Sequence, residues 1–209
     1  MVTSITRTPR RTQAQRRDTA RAAIIETAIR LLADGGYANM TLADLGERAG
    51  YSRSLATHYF GSKPKLLAAV VQHVLDQNPS ARLDESLRGF ARIEAEVAAV
   101  LDGLEESPHM ARAYIVITFE AITSLPELRP VVHEQNVAFR RRIESALREG
   151  KALGTVRPDV DAASASIAVM AMVRGIAWEW FTDSSLDLAA CRRALLSQVT
   201  ALCASTSDR

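Results

Sequence analysis

Residues 40–67, MTLADLGERAGYSRSLATHYFGSKPKLL, decide the fold. Thr41 is a good helix N-cap with Asp44 three residues on, a variant of the capping box, and Leu42, Leu45 and Ala49 then share one inward stripe. Gly50 closes this very short helix. Ser52 caps the next, which reaches about Phe60, and Ser62 opens another at Lys63 and Pro64, where proline is tolerated. Two short helices about a glycine-containing turn form a helix-turn-helix. Such a unit lays its second helix in the major groove of a duplex while helix-end N–H groups meet phosphates. With Ala56 and Phe60 inward, Arg53 and Ser54 lie at the helix entrance, facing base edges, and Leu55 is an exposed leucine suited to a thymine methyl. Thr57, His58 and Tyr59 are placed for phosphate oxygens, as are Thr41 and Lys63, and Ser52 belongs to the same DNA-binding set. The bland alternative is that two short helices with a glycine turn occur in many all-helical proteins.

The same stretch resembles the DNA-binding signature of TetR-family transcriptional regulators, roughly T-x-x-x-I-A-x-x-A-G-V-S-x-G-x-L-Y-x-x-F-x-x-K-x-x-L. Thr41, Ala49, Gly50, Ser52, Phe60, Lys63 and Leu66 match at unbroken spacing. The departures are Leu45-Gly46 for Ile-Ala, Tyr51 for Val, Ser54 for Gly, Ala56 for Leu and Thr57 for Tyr. Thr57 puts a shorter hydroxyl where many members place a phosphate-contacting tyrosine, and Ser54 narrows how closely the backbone approaches DNA. The resemblance implies an all-α chain, with an N-terminal three-helix helix-turn-helix domain followed by a helical ligand-binding and dimerisation domain. It also implies that the last two long helices pair with their copies in a four-helix bundle.

Outward from the motif, charge divides the chain. Residues 1–65 carry 11 Lys and Arg against five acids, and the remaining residues carry 15 against 19, so a net charge of +2 is +6 in front and −4 behind. A basic front is attracted to a polyanion. Residues 1–17 lack helical periodicity and read as a flexible basic arm, whose Arg10, Arg11, Arg16 and Arg17 either enter a minor groove or form a solvated tail. Apolar residues recur at three and four positions over most of the rest, giving about nine helices. The first is expected at 18–33, followed by the motif pair, and the longer ones at 63–77, 83–104, 108–123, 127–150, 160–182 and 187–204. Turn or end signals stand at Asn78-Pro79, Ser107-Pro108, Leu125-Pro126, Gly150, Gly154 and Arg157-Pro158. The shift to longer helices near residue 63 divides a DNA-binding domain, 18–62, from a ligand-binding and dimerisation domain, 63–209.

On the last helix Leu188, Cys191, Leu195, Val199 and Leu202 are spaced 3, 4, 4 and 3, a seam of heptad type. The helix before it, AASASIAVMAMVRGIAWEWF, is apolar nearly all round. It must be covered both by its own domain and by a partner copy, with Val169 and Val173 joining the dimer interface. The alternative is a monomeric core. A small-molecule cavity is expected among residues 83–182, lined by Met110, Tyr114, Phe119, Met170 and Trp178, with Glu120, His133, Asn136 and Arg174 as polar anchors. Each of these has the alternative of plain core packing, and Arg174 that of an ion pair across the seam. A carboxylate effector would explain Arg174 and a cationic one Glu120.

Several classes are set aside. The longest apolar run, Ile167–Val173, stops far short of the ~20 residues that cross a bilayer, and the N-terminus lacks the apolar core of a secretory signal. Cys191 and Cys203 stand 12 apart on one helix, about 18 Å at ~1.5 Å per residue, beyond disulfide reach. A reducing cytoplasm is the simplest setting. Nucleophile-elbow, P-loop and zinc-protease motifs are missing, and the four histidines are scattered without metal-ligand spacing, so neither catalysis, a metal nor a cofactor is expected. The reading is a cytoplasmic, homodimeric, ligand-responsive repressor of a palindromic double-stranded DNA operator, released by a small molecule. Two other classes stay open: a ligand-binding helical protein without specific operator binding, and a non-specific DNA-associating protein whose affinity follows salt rather than sequence.

Overall fold

The computed structural model describes residues 12–38, 40–77 and 83–205. Most of the basic arm, including Arg10 and Arg11, and the Asn78-Pro79 turn lie outside the described residues. The described residues form nine α-helices: α1 Gln13–Gly35, α2 Leu42–Arg48, α3 Arg53–Phe60, α4 Lys63–Asp76, α5 Gly89–Glu106, α6 Pro108–Ile122, α7 Arg129–Leu153, α8 Ala162–Thr182 and α9 Leu188–Cys203. The chain is all-α, as the periodicity requires, and among the described helices none is long and apolar enough to cross a membrane.

Three boundaries differ from the sequence expectation, each for a local reason. Helix α1 begins at Gln13 rather than residue 18, because Thr12 and Gln15 close a full capping box. The Thr12 hydroxyl accepts from Gln15 N–H at 3.2 Å, and Thr12 N–H donates to Gln15 Oε1 at 2.9 Å. Arg16 and Arg17 are therefore helical. Helix α5 starts at Gly89 rather than 83, since the Asp84 carboxylate accepts from Ser86 N–H at 2.8 Å and holds the preceding segment in a turn. Helix α7 runs through Gly150 to end at Gly154, the residue that takes the left-handed φ of 76°.

Gly150 serves another purpose than stopping a helix. A Cβ on it would lie 2.4 Å from Val156 Cγ2, and a Cβ on Gly89 would lie 2.9 Å from Gly150 Cα. The start of α5 thus meets the end of α7 backbone to backbone. Gly89 also has φ +54°, which costs an L-residue about 1–2 kcal/mol. Gly89→Ala is expected to destabilise the protein by at least that amount in urea denaturation, and an unchanged midpoint would refute the junction.

Two hydrophobic clusters organise the helices. The first joins α1–α4 through Ile24, Ile29, Leu45, Phe60, Leu67 and Val70, and continues into Ala113, Ile117 and Ala121 of α6. The change of style near residue 63 is therefore not a break in the core. The second joins α5, α7, α8 and α9 through Ile93, Leu101, Ile143, Val169, Leu195 and Val199. The end of α9 is tied down by the segment after α7: Arg157 N–H donates to the Cys203 carbonyl at 3.0 Å, and Ser205 N–H to that of Thr155 at 3.1 Å.

The dimer seam read from the sequence is corrected here. Val169, Val173, Leu188, Leu195 and Val199 are buried within the chain's own second cluster, and Cys191 and Leu202 pack against its edge. Those five side chains are covered by their own domain and leave nothing to present to a second copy, whereas Cys191 and Leu202 stay half-exposed at its edge. Periodicity identifies an amphipathic face; it does not say what covers it.

Candidate DNA-reading face and ligand cavity

Helix α3 is anchored by its inward Ala56 and Phe60, leaving Ser52, Arg53, Ser54, Thr57 and His58 exposed along its outer side. Gly46 stands where the family pattern has alanine and lets α2 lie against the first turn of α3; a Cβ there would fall 2.4 Å from the Ser52 carbonyl oxygen. Arg53 Nε is 3.2 Å from Glu47 Oε1, an exposed pair that screening leaves weak. Arg21 of α1 carries its guanidinium 5.6 Å above the Phe60 ring, extending the basic face beside the reading helix. Arg21 was counted only in the charge of the basic front, not among the candidate DNA-binding residues.

Thr41 caps α2 as its position predicts, whereas Ser52, Leu55, Tyr59 and Lys63 are engaged differently from expectation. The Thr41 hydroxyl caps α2, accepting from Asp44 N–H at 3.1 Å and donating to its carboxylate at 2.6 Å. Ser52 holds the N-cap position of α3 without a side-chain cap bond; its hydroxyl lies 3.3 Å from that of Ser54. Leu55 is half-buried against the first cluster rather than an exposed leucine, and Tyr59 packs there too, its ring tilted 5.6 Å from that of His58. Lys63 turns inward: its ammonium donates to the Tyr37 carbonyl at 2.6 Å and sits 3.7 Å from that ring's centroid. Burial lowers the Lys63 pKa, and the Glu120 charge opposes the shift. Lys63 therefore fastens the loop after α1 to α4 and is not presented for a phosphate.

A cavity of about 610 Å³ opens among α4, α5, α6, α7 and α8. Of the residues expected to line it, Met110, Tyr114, Phe119, Asn136, Met170, Arg174 and Trp178 do. Glu120 and His133 do not: Glu120 is half-buried on the side of α6 that faces Lys63 and Tyr37, and His133 is exposed on α7. Phe119 and Trp178, 46% and 44% exposed, stack in a tilted pair 4.8 Å apart at the rim. Arg174 Nη2 donates to Asn136 Oδ1 and lies against the Tyr114 hydroxyl. Burial pushes the Tyr114 pKa up, with Arg174 pulling the other way.

Phe139 and Arg142 also line the cavity and were not anticipated. Arg142 closes the run Arg140-Arg141-Arg142, which reads as a solvated basic face. Its position three after Phe139 and six after Asn136 puts all three on one side of α7, and that spacing is the signal that finds it. Arg142 Nε donates at 3.2 Å to Glu96, a fully buried carboxylate of α5 that also accepts from Arg92 at 2.8 Å.

A helix-turn-helix head built on a helical domain with an interior cavity defines a DNA-binding regulator of the ligand-sensing class. Comparison with known proteins supplies the family. Residues 24–70 match the family described as bacterial regulatory proteins, tetR family, and residues 90–204 match the BetI-type transcriptional repressor, C-terminal. The HTH-type transcriptional regulator BetI of Burkholderia thailandensis is 30% identical over 165 residues, 77% of this chain and 80% of that protein. BetI of Rhizobium meliloti is 28% identical over 159 residues, 75% of each chain. Among solved structures, a transcriptional regulator from Saccharomonospora viridis in complex with choline superposes with TM-score 0.78 at 22% identity, over 90% of this chain and 99% of that one. The SmeT–triclosan complex gives 0.71 at 23%, over 90% and 93%. The chain belongs to the TetR family, with a C-terminal domain of the BetI type. It is accordingly a transcriptional regulator, in a family that is not normally enzymatic.

Proposed function

We propose that the chain acts in the cytoplasm as a homodimeric repressor of a palindromic operator, released when a small molecule fills the cavity. The observation that carries this reading is the double duty of α6. Its Ala113, Ile117 and Ala121 are buried in the core of the DNA-reading head, while its Met110, Tyr114 and Phe119 line the cavity. Helix α4 is divided the same way, with Leu66, Leu67 and Val70 in the head's core and Val74 and Leu75 at the cavity. A ligand that rearranges the cavity wall moves the floor on which α3 stands. Such coupling is a difference in ligand affinity between two conformations, so operator and effector oppose each other reciprocally.

The dimer contact belongs on the sides of α8 and α9 left outside the second cluster. On α8 the exposed Ile167, Ala171, Gly175 and Trp178 recur at helical spacing, and on α9 Ala194, Ser197 and Ala201 do the same. Small residues permit two helices to approach closely, and a two-fold axis through them sets two copies of α3 toward one duplex. Regulators of similar fold carry choline or triclosan, which supports a small-molecule effector for this cavity.

Selection of bound sites from random duplex DNA by the purified protein tests the reading. The expected product is an inverted repeat bound by two chains; sequence-independent recovery would refute operator recognition, and a chain that stays monomeric at micromolar concentration would refute the dimer. On the selected site, Arg53→Ala is expected to cost about 1–3 kcal/mol and relax preference at one base position. Uniform weakening across sequences would make Arg53 a phosphate contact instead.

A further inference from the structure

We infer that the cavity takes an anion carried on an apolar body, its carboxylate seated at Arg174 between Asn136 and Tyr114. This rests on reading the cavity as the effector site and names the chemical class of its occupant. The charges at the wall decide the sign. Arg142 is already matched by Glu96, which Arg92 shares, so that trio holds two cations and one anion. Arg174 meets only neutral groups: the Asn136 amide oxygen and the Tyr114 phenol, with no carboxylate in ion-pair reach among the described residues. A part-buried guanidinium without a counter-charge is held in a poor dielectric at a cost that an entering carboxylate removes, through bonds that Arg makes two at a time.

Neighbouring groups suit the same occupant. Tyr114 keeps its proton under the burial that raises its pKa, so its hydroxyl remains a donor. Leu104, Ile115, Phe139 and Val173 give the remainder of the cavity an apolar wall. Its volume of about 610 Å³ falls within the ~300–1,000 Å³ of small-molecule pockets. Glu120, the acid that would have favoured a cation, lies outside the cavity beside Lys63, and Glu106 at the rim is the acid among the described lining residues. Choline in the Saccharomonospora viridis regulator is a quaternary cation; the same charge here would approach Arg174, which has no carboxylate in ion-pair reach among the described residues.

Three probes of one chain length separate the possibilities: decanoate, decanol and decyltrimethylammonium, each kept below its micelle concentration and titrated calorimetrically into the full-length protein. Decanoate is expected to bind about ten- to a hundredfold more tightly than the other two. Arg174→Gln is expected to erase that advantage while leaving decanol binding in place, and Tyr114→Phe to reduce it in part. Equal binding of all three, or a preference for the ammonium probe, overturns the anion assignment while leaving the cavity as a ligand site. Retention of the decanoate preference in both variants overturns the seat at Arg174. Failure of all three to bind overturns the assignment and the effector cavity together.

Discussion

Phe60→Ala is expected to cost about 3–5 kcal/mol of stability and, with it, operator binding. Helix α3 has eight residues, too few to persist in water on its own propensity, so packing must hold it in place. Only Ala56 and Phe60 on it are buried, and Ala56 contributes a single methyl. Leu55 and Tyr59 add partial contacts, and Arg21 covers the outer edge of the Phe60 ring. Truncating the ring leaves a cavity beneath the helix that, on the proposed reading, sets Arg53 and Ser54 against base edges. Urea denaturation followed by circular dichroism should show the fall in midpoint, and fluorescence anisotropy on the selected operator should show weak or lost binding. Phe60→Leu, which keeps most of the volume, should cost under about 1.5 kcal/mol and retain recognition. A wild-type midpoint for Phe60→Ala would mean that the reading helix is held by something other than its inward face.

The reading head was legible because its signals are local. Thr41, Gly50 and Ser62 act on the backbone within a few residues of where they stand, and the inward pair at positions 56 and 60 follows from helical spacing alone. At the start of α1 missing periodicity and composition misled: residues 1–17 read as a flexible arm, whereas the capping box of Thr12 and Gln15 starts α1 there. Gly150 shows a different limit. A glycine ending a helix and one admitting a neighbouring backbone look alike in sequence, and only the approach of Gly89 and Val156 tells them apart.

The rear domain was less legible because its features depend on which helix lies opposite which. The stripe from Leu188 to Leu202 fits an interface between chains or a core within one, and the partner helices α5 and α8 decide for the core. Tyr114, Arg174 and Trp178 were found as lining because large or polar side chains on the apolar helices α6 and α8 must face something. Arg142 was missed because its buried partner, Glu96, is 46 residues away. The pair Arg92 and Glu96, four apart, reads as an ordinary surface ion pair until α7 closes over it.

That closure leads to the second large effect: Glu96→Ala is expected to destabilise the protein by about 3 kcal/mol, or roughly 6–12 °C in Tm. The Glu96 side chain is 0% exposed, with Oε1 bound by Arg92 at 2.8 Å and Oε2 by Arg142 at 3.2 Å. Breaking a buried pair from one side typically costs 3–5 kcal/mol, because the remaining charge is left uncompensated. Here the arginines are 24% and 34% exposed and partly reach water, which places the cost at the lower end. The control is to replace the group rather than break it. Arg92→Leu, Glu96→Leu and Arg142→Leu together remove every charge and fill the space, and should recover much of the loss, since desolvation offsets most of what such a triad gains. If the triple variant is no more stable than Glu96→Ala, the trio is a net source of stability rather than a fixed alignment of α5 and α7. Because Arg142 is also a wall of the cavity, Glu96 would then matter chiefly for holding the fold, and the charge presented to a ligand would follow from it secondarily.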